Sequence, residues 1–171
     1  PEDENRYKVA SHGTHVSGTI GALTNNGIGV AGVNWAVSLM PIRVLDEYGN
    51  GYVSDVASGI IWAVDNGADV INLSLGSYVA SDTLKSSVQY AYRRGVTVVA
   101  ASGNEYYSNQ IAYPAAYDEV IAVGASYKPE SPLTVADFSN GSDGLDLIAP
   151  GVGVWSTNYN SRTKVLGYEF A

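Results

Sequence analysis

The chain has 171 residues, no cysteine, and 17 acidic against 9 basic side chains, for a formal charge of −8 at pH 7. The length suits one domain with a sizeable core, and the lack of cysteine excludes a disulfide framework, a thiol nucleophile and a thiolate metal site. The acidic balance argues against nucleic acid or an anionic membrane as partner, since both draw on clustered Lys and Arg, and no apolar run approaches the roughly 20 residues needed to span a bilayer.

In chain order, the first residues, PEDENRYKVAS, form a polar lead-in that does not read as a native start. HGTHVSGTIGAL (12–23) reads as a helix beginning near His12, rich in small residues and able to pack closely. TNNGIGVAG (24–32) is a turn-rich loop. VSLMPIRVL (37–45) reads as a buried strand, followed by the polar loop DEYGNG (46–51). Residues 52–68 read as a helix, with Val53, Val56, Ile60, Trp62 and Val64 near helical spacing and Gly67 after the last turn. DVINLSL (69–75) is a strand, and 81–96 a helix with a Ser or Asp cap and Gly95 as its stop. VTVVAAS (96–102) has the β-branched, continuous apolarity of a parallel strand, EVIAVGAS (119–126) is another, and LDLIAPG and VGVWSTN are short ones.

Strands alternating with helices imply an α/β fold with a doubly wound, mostly parallel sheet and helices on both faces. Ligands in such folds sit beyond the carboxyl ends of the strands. SLGS, ASGNE and APG follow predicted strands directly. With no internal repeat and no linker, residues 1–171 read as a single domain.

The two histidines, His12 and His15, are the only ones in the chain. Three readings are open for them: a general base, a metal pair, or side chains packed at a helix start. Zinc needs a third ligand, and its familiar helical pattern has i, i+4 spacing with an adjacent Glu, which is absent here. A general base on a rigid helix would also need preorganised donors for an oxyanion. AASGNE (100–105) supplies an amide donor, Asn104, at the end of a buried strand, although an Asn after a Gly is also an ordinary turn residue.

HGTHVSGTI, VINLSLG, VVAASGNE, YPAAYDEVIAVGA, FSNGSDGLDLIAPG and VWST, in that order through residues 11–171, resemble the subtilisin family of serine endopeptidases. The resemblance implies hydrolysis of peptide bonds in proteins through an Asp-His-Ser triad, with His12 as general base, Asn104 as oxyanion donor and His15 structural. It implies that Ser74, Leu75, Gly76, Ala101 and Ser102, with Ala112 near the base, line the S1 cleft. Gly49, Asn50 and Gly51 would pair with an extended substrate as in β-augmentation. It also implies a structural calcium site at the carbonyls of Leu23, Ile28 and Val30 and the side chain of Asn26, oxygen donors that suit a hard cation. A weaker cation site would fall at the carbonyls of Ala115, Tyr117 and Val120. Secretion, and an inhibitory pro-segment as partner besides protein or peptide substrates, follow from the same resemblance.

The family's triad Asp lies in a D-S/T-G segment upstream of HGTH and its nucleophile in G-T-S-M-A, just after a stretch resembling VLGYEFA (165–171). Neither segment occurs in this chain, and Ser156 and Ser161 lack the nucleophile's context. Residues 1–171 are therefore expected to be an internal portion of a peptidase domain, incomplete at both ends, inactive and unstable alone unless complemented by the remainder. The alternative is a catalytically inactive relative serving as a binding or structural module.

Overall fold

The computed structural model describes residues 4–127, 134–160 and 163–171, with side chains from Ser11 onward. Ser161 lies outside the described residues. The chain divides into two compact units, one made of residues 1–51 with 153–171 and the other of residues 52–152.

The second unit is built on a four-stranded parallel sheet: β1 (Val70–Leu73), β2 (Thr97–Ala101), β3 (Val120–Ser126) and β4 (Leu147–Pro150), in the order β1-β2-β3-β4. Registers Ile71↔Val98↔Val120 and Leu73↔Ala100↔Ala122 put these buried residues on one face. On the other face Val70, Thr97 and Ala101 are exposed at the strand ends. Helices α2 (Val53–Asp65) and α3 (Asp82–Arg93) pack on each other, and α3 packs on β2.

The α3 stripe is Leu84, Ser87, Val88 and Ala91, at i, i+3, i+4 and i+7, with Val88 and Ala91 fully buried. Ser81 caps its start, accepting from the Leu84 N–H at 3.4 Å. Tyr117 holds the same turn: its hydroxyl donates to the Ser81 carbonyl and accepts from the Ser81 N–H, at 2.9 and 3.1 Å. In α2 the buried set is Val56, Ala57, Ile60, Ala63 and Val64. Trp62, expected with them, is 52% exposed, because it lies about 200° around the helix from Ile60.

In the first unit α1 runs Glu4–Gly21, starting eight residues before His12 rather than at it. Residues 4–11 of the lead-in continue the helix because they hold no Pro or Gly to stop it. Strands β5 (Trp155–Asn160) and β6 (Val165–Phe170) form an antiparallel hairpin, and β5 packs on α1. Gly18 permits that approach: a Cβ there would meet Ser156 Oγ at 2.6 Å and run into Thr157 Oγ1. Ser156 and Thr157 donate their hydroxyls to the carbonyls of His15 and Thr14, both at 2.7 Å.

Residues 37–45, expected as a buried strand, form no ladder among the described residues, and Val37, Leu39 and Met40 are 40–43% exposed. Apolarity raises the demand for burial, but a strand also needs a partner for its backbone groups. Among the described residues no helix is long and apolar enough to cross a membrane.

Candidate active site

Parallel strands end where their connections begin, and the segments leaving β1 and β2 enclose a cleft at the carboxyl edge of the sheet. It is lined by Ser74, Leu75, Gly76, Tyr78, Ala101, Gly103, Asn104, Glu105 and Ala112, with a volume of about 150 Å³. Six of the residues named from the sequence thus converge: Ser74, Leu75, Gly76, Ala101, Asn104 and Ala112. Ser77 and Tyr113 join the two sides through paired backbone bonds of 2.9 and 2.8 Å, and Ala112 donates to the Ser102 carbonyl at 2.8 Å. Gly76 is required for that closeness, since a Cβ would lie 2.9 Å from the Ala112 Cβ.

Asn104 is exposed at the lip of this cleft. Its backbone N–H donates to Glu105 Oε2 at 2.7 Å. Ser102, also expected to line the cleft, is 1% exposed and faces inward, its hydroxyl donating to the Asn140 carbonyl at 2.9 Å.

The histidines separate as their neighbours dictate. His12 is exposed on α1. His15 is half-buried, with Nε2 at 3.1 Å from the Val154 carbonyl and 3.2 Å from the Glu169 carbonyl. Carbonyls only accept, so Nε2 carries the proton and is closed to a metal. Among the described residues no group of three or more His, Asp or Glu side chains could hold a metal.

Loop 24–32 is shaped by its own residues and by Tyr168, which packs so closely on Gly29 that a Cβ there would run into its ring. Asn25, Gly27 and Gly29 have φ of 60°, 72° and 64°, and Asn26 Oδ1 accepts from the Ile28 N–H at 3.0 Å, an Asx turn. Leu23 and Ile28 are 77% and 69% exposed. The oxygen donors expected here, three carbonyls and one amide, are of the right kind for calcium, but four oxygens fall short of the six to eight it takes. In the loop at 46–51, Asp46 Oδ1 accepts from the Tyr48 and Asn50 N–H groups at 2.8 and 2.9 Å, while the Asp46 N–H donates to the Asn50 carbonyl at 2.7 Å. Both backbone groups of Asn50 are therefore engaged within the loop. Gly49, with φ 81°, makes the turn. Of the three carbonyls of the weaker cation site, that of Tyr117 accepts from the Val120 N–H at 3.0 Å.

The model of the subtilase family matches residues 1–170. The chain belongs to the subtilase family. It is 51% identical over 155 residues to subtilisin DY of Bacillus licheniformis, covering 89% of this chain and 55% of that protein. Subtilisin E of Bacillus subtilis (strain 168) is 47% identical over 161 residues, with 92% and 41% covered. Among solved structures, a protease of Pseudoalteromonas arctica superposes with a TM-score of 0.85 at 35% identity, covering 94% of this chain and 52% of that one. The chain spans about half the length of these relatives.

Sequence reasoning missed how this subtilase holds its cleft. Asn140 is fully buried and its Oδ1 accepts from the N–H groups of Glu105 and Tyr107, at 2.9 and 3.0 Å. Its Nδ2 reaches Tyr78 Oη at 2.6 Å and Glu105 Oε2 at 3.1 Å. The Tyr78 hydroxyl donates to the same Glu105 oxygen, and its ring meets Tyr107 edge-on at 5.3 Å. The motif FSNG contains Asn140, but its spacing from Asn104 carries no signal of contact.

Proposed function

We propose that this chain is the central portion of a secreted serine endopeptidase domain, its cleft receiving the side chain on the acyl side of the scissile bond. The observation that carries the reading is the convergence of Ser74–Gly76, Ala101, Ala112 and the exposed Asn104 on one cleft at the carboxyl edge of a parallel sheet. A tetrahedral intermediate places negative charge on the former carbonyl oxygen, and the carboxamide N–H of Asn104 at the lip would stabilise it. His12 takes the proton of the attacking serine and returns it to the leaving amine. On this reading the orienting Asp and the nucleophilic Ser come from sequence outside the 171 residues, which alone hydrolyse nothing. Leu75, Ala101 and Ala112 favour an apolar or aromatic substrate side chain, and a peptide library with a strict preference for Asp or Lys there would refute that choice.

Calcium would be held by the carbonyls of Leu23, Ile28 and Val30 with Asn26 Oδ1, the remaining oxygens coming from water or other residues. Its role is structural. The domain's own pro-segment is the proposed inhibitory partner, and proteins or peptides are the substrates.

The test is a fluorophosphonate probe applied to the full-length protein, which should label it and fail on His12→Ala. Asn104→Ala should lower kcat about 10²–10³-fold (about 2.7–4 kcal/mol), a range measured on a subtilisin itself rather than derived from this geometry. A full-length protein that ignores the probe yet binds peptides along Gly49–Gly51 is a binding module instead.

A further inference from the structure

The function assigned to Asn104 depends on where its amide points, yet Asn104 is exposed and its segment is irregular. Two residues of that segment have left-handed backbones: Gly103 at φ 109° and Tyr106 at φ 63°. Such a segment keeps its shape only when its surroundings over-determine it.

The surroundings reduce mainly to one residue, through its backbone N–H and above all its side chain. We propose that Asn140 is the positioning residue of the oxyanion donor, a role that rests on the functional reading above. The Asn140 N–H donates to the Gly103 carbonyl at 2.9 Å, which fixes the residue before Asn104. Asn140 Oδ1 accepts from the Glu105 N–H, which fixes the residue after it. The N–H of Asn104 itself donates to Glu105 Oε2, and that oxygen is held in turn by Asn140 Nδ2. These hydrogen bonds at Gly103, Asn104 and Glu105 all lead to Asn140, directly or through the Glu105 carboxylate.

The amide is suited to this in a way its near-isosteres are not. Two N–H groups face Oδ1, which uses both its lone pairs, while a carboxylate and a hydroxyl face Nδ2. Asp could accept the two N–H groups but would set a second carboxylate against Glu105. Ser is too short to reach both sides. Residues 138–141 add backbone bonds alongside, Tyr106 N–H to the Phe138 carbonyl at 3.0 Å and Gly141 N–H to the Tyr107 carbonyl at 2.8 Å, but any residue can make those.

Oxyanion donors act by being in place before charge develops, and a misplacement of about 1 Å can cost on the order of 10²-fold. The test is a double-mutant cycle on the full-length protein. Asn140→Ala should lower kcat tenfold or more, roughly, with KM nearly unchanged. In the Asn104→Ala background the same substitution should change kcat less than about twofold, since the group it positions is gone. If Asn140→Ala does not fold, Tyr78→Phe decides the matter: Tyr78 is half-exposed, and its hydroxyl links Nδ2 to the Glu105 carboxylate. It should show a smaller loss that also vanishes without Asn104. Equal losses in both backgrounds overturn the brace while leaving the functional reading intact. An unchanged kcat in Asn104→Ala alone overturns the functional reading, and the brace with it.

Discussion

Loops 102–107 and 23–30 are both irregular and both use left-handed residues, but they are held by opposite means. The first is tied to buried groups far along the chain, with Asn140 and Ser102 at 0% and 1% exposure. The second has an exposed local Asx turn, with side chains in water at Leu23 and Ile28, and its distant contact is Gly29 packed against the Tyr168 ring rather than a buried hydrogen-bond brace. A buried hydrogen bond is costly to break because the orphaned group cannot turn to water, whereas an exposed one is replaced at little loss. A loop that must present one amide in one direction therefore relies on buried partners. A loop that would wrap a cation can leave part of its order to the ion.

The sharpest way to break this contrast is a matched pair of glycine substitutions. Gly103→Ala should destabilise the full-length protein by roughly 3 kcal/mol, combining backbone strain with overpacking against Asn140 and Tyr78. Gly27→Ala, at φ 72° with nothing within 4 Å of the added methyl, should cost about 1 kcal/mol from strain alone. Urea midpoints measure both, and equal costs would mean the buried brace adds nothing.

Chelation is the next largest effect. If calcium orders loop 23–30 at a free concentration near ten times its Kd, its removal should cost about 1.4 kcal/mol, and Asn26→Ala should shrink that loss. The kcat of molecules still folded should not move, because loop 102–107 owes its shape to other groups. A chelator effect identical in Asn26→Ala would remove that residue from the site.

The smallest effect belongs to an exposed bond of the kind found in loop 23–30. Tyr90 donates to Asp65 Oδ1 at 2.6 Å, and this hydrogen bond, first among the causes, raises the phenol above its ordinary value. The folded pKa is the higher one, so the bond's contribution is complete below the unfolded value near 10 and fades as pH rises through the folded value. Tyr90→Phe should remove the bond's contribution at neutral pH, small for an exposed pair, together with its alkaline dependence; a large loss at pH 7 would show that an exposed bond can rival a buried one.

Elements whose own residues settle their state were legible in the sequence. The i, i+3, i+4 stripe of α3 with Ser81 and Gly95, and the apolar runs of β1–β3, announce themselves locally. What stayed hidden is what a distant partner decides. VLGYEF contains a Gly and a Glu and forms β6 because β5 pairs with all six of its residues. Residues 37–45 are apolar enough for a strand yet make no ladder among the described residues. In the cleft, the residues that face it follow from strand ends and family motifs. Ser102 turns inward because Asn140 offers a carbonyl there, and Asn140 itself had no mark, its partners lying 33 to 62 residues away.

His15 carries a consequence for how the chain assembles. Its ring holds carbonyls 139 and 154 residues further on, and the neighbouring turn of α1 takes hydroxyls from Ser156 and Thr157. The helix that bears His12 thus leaves the ribosome well before its mounting does. Closing so long a loop is slow, since its entropy must be lost before any contact offsets it. A truncation ending before Val154 would leave that helix with none of these anchors, so the proposed base is set in place only as the β5–β6 hairpin arrives.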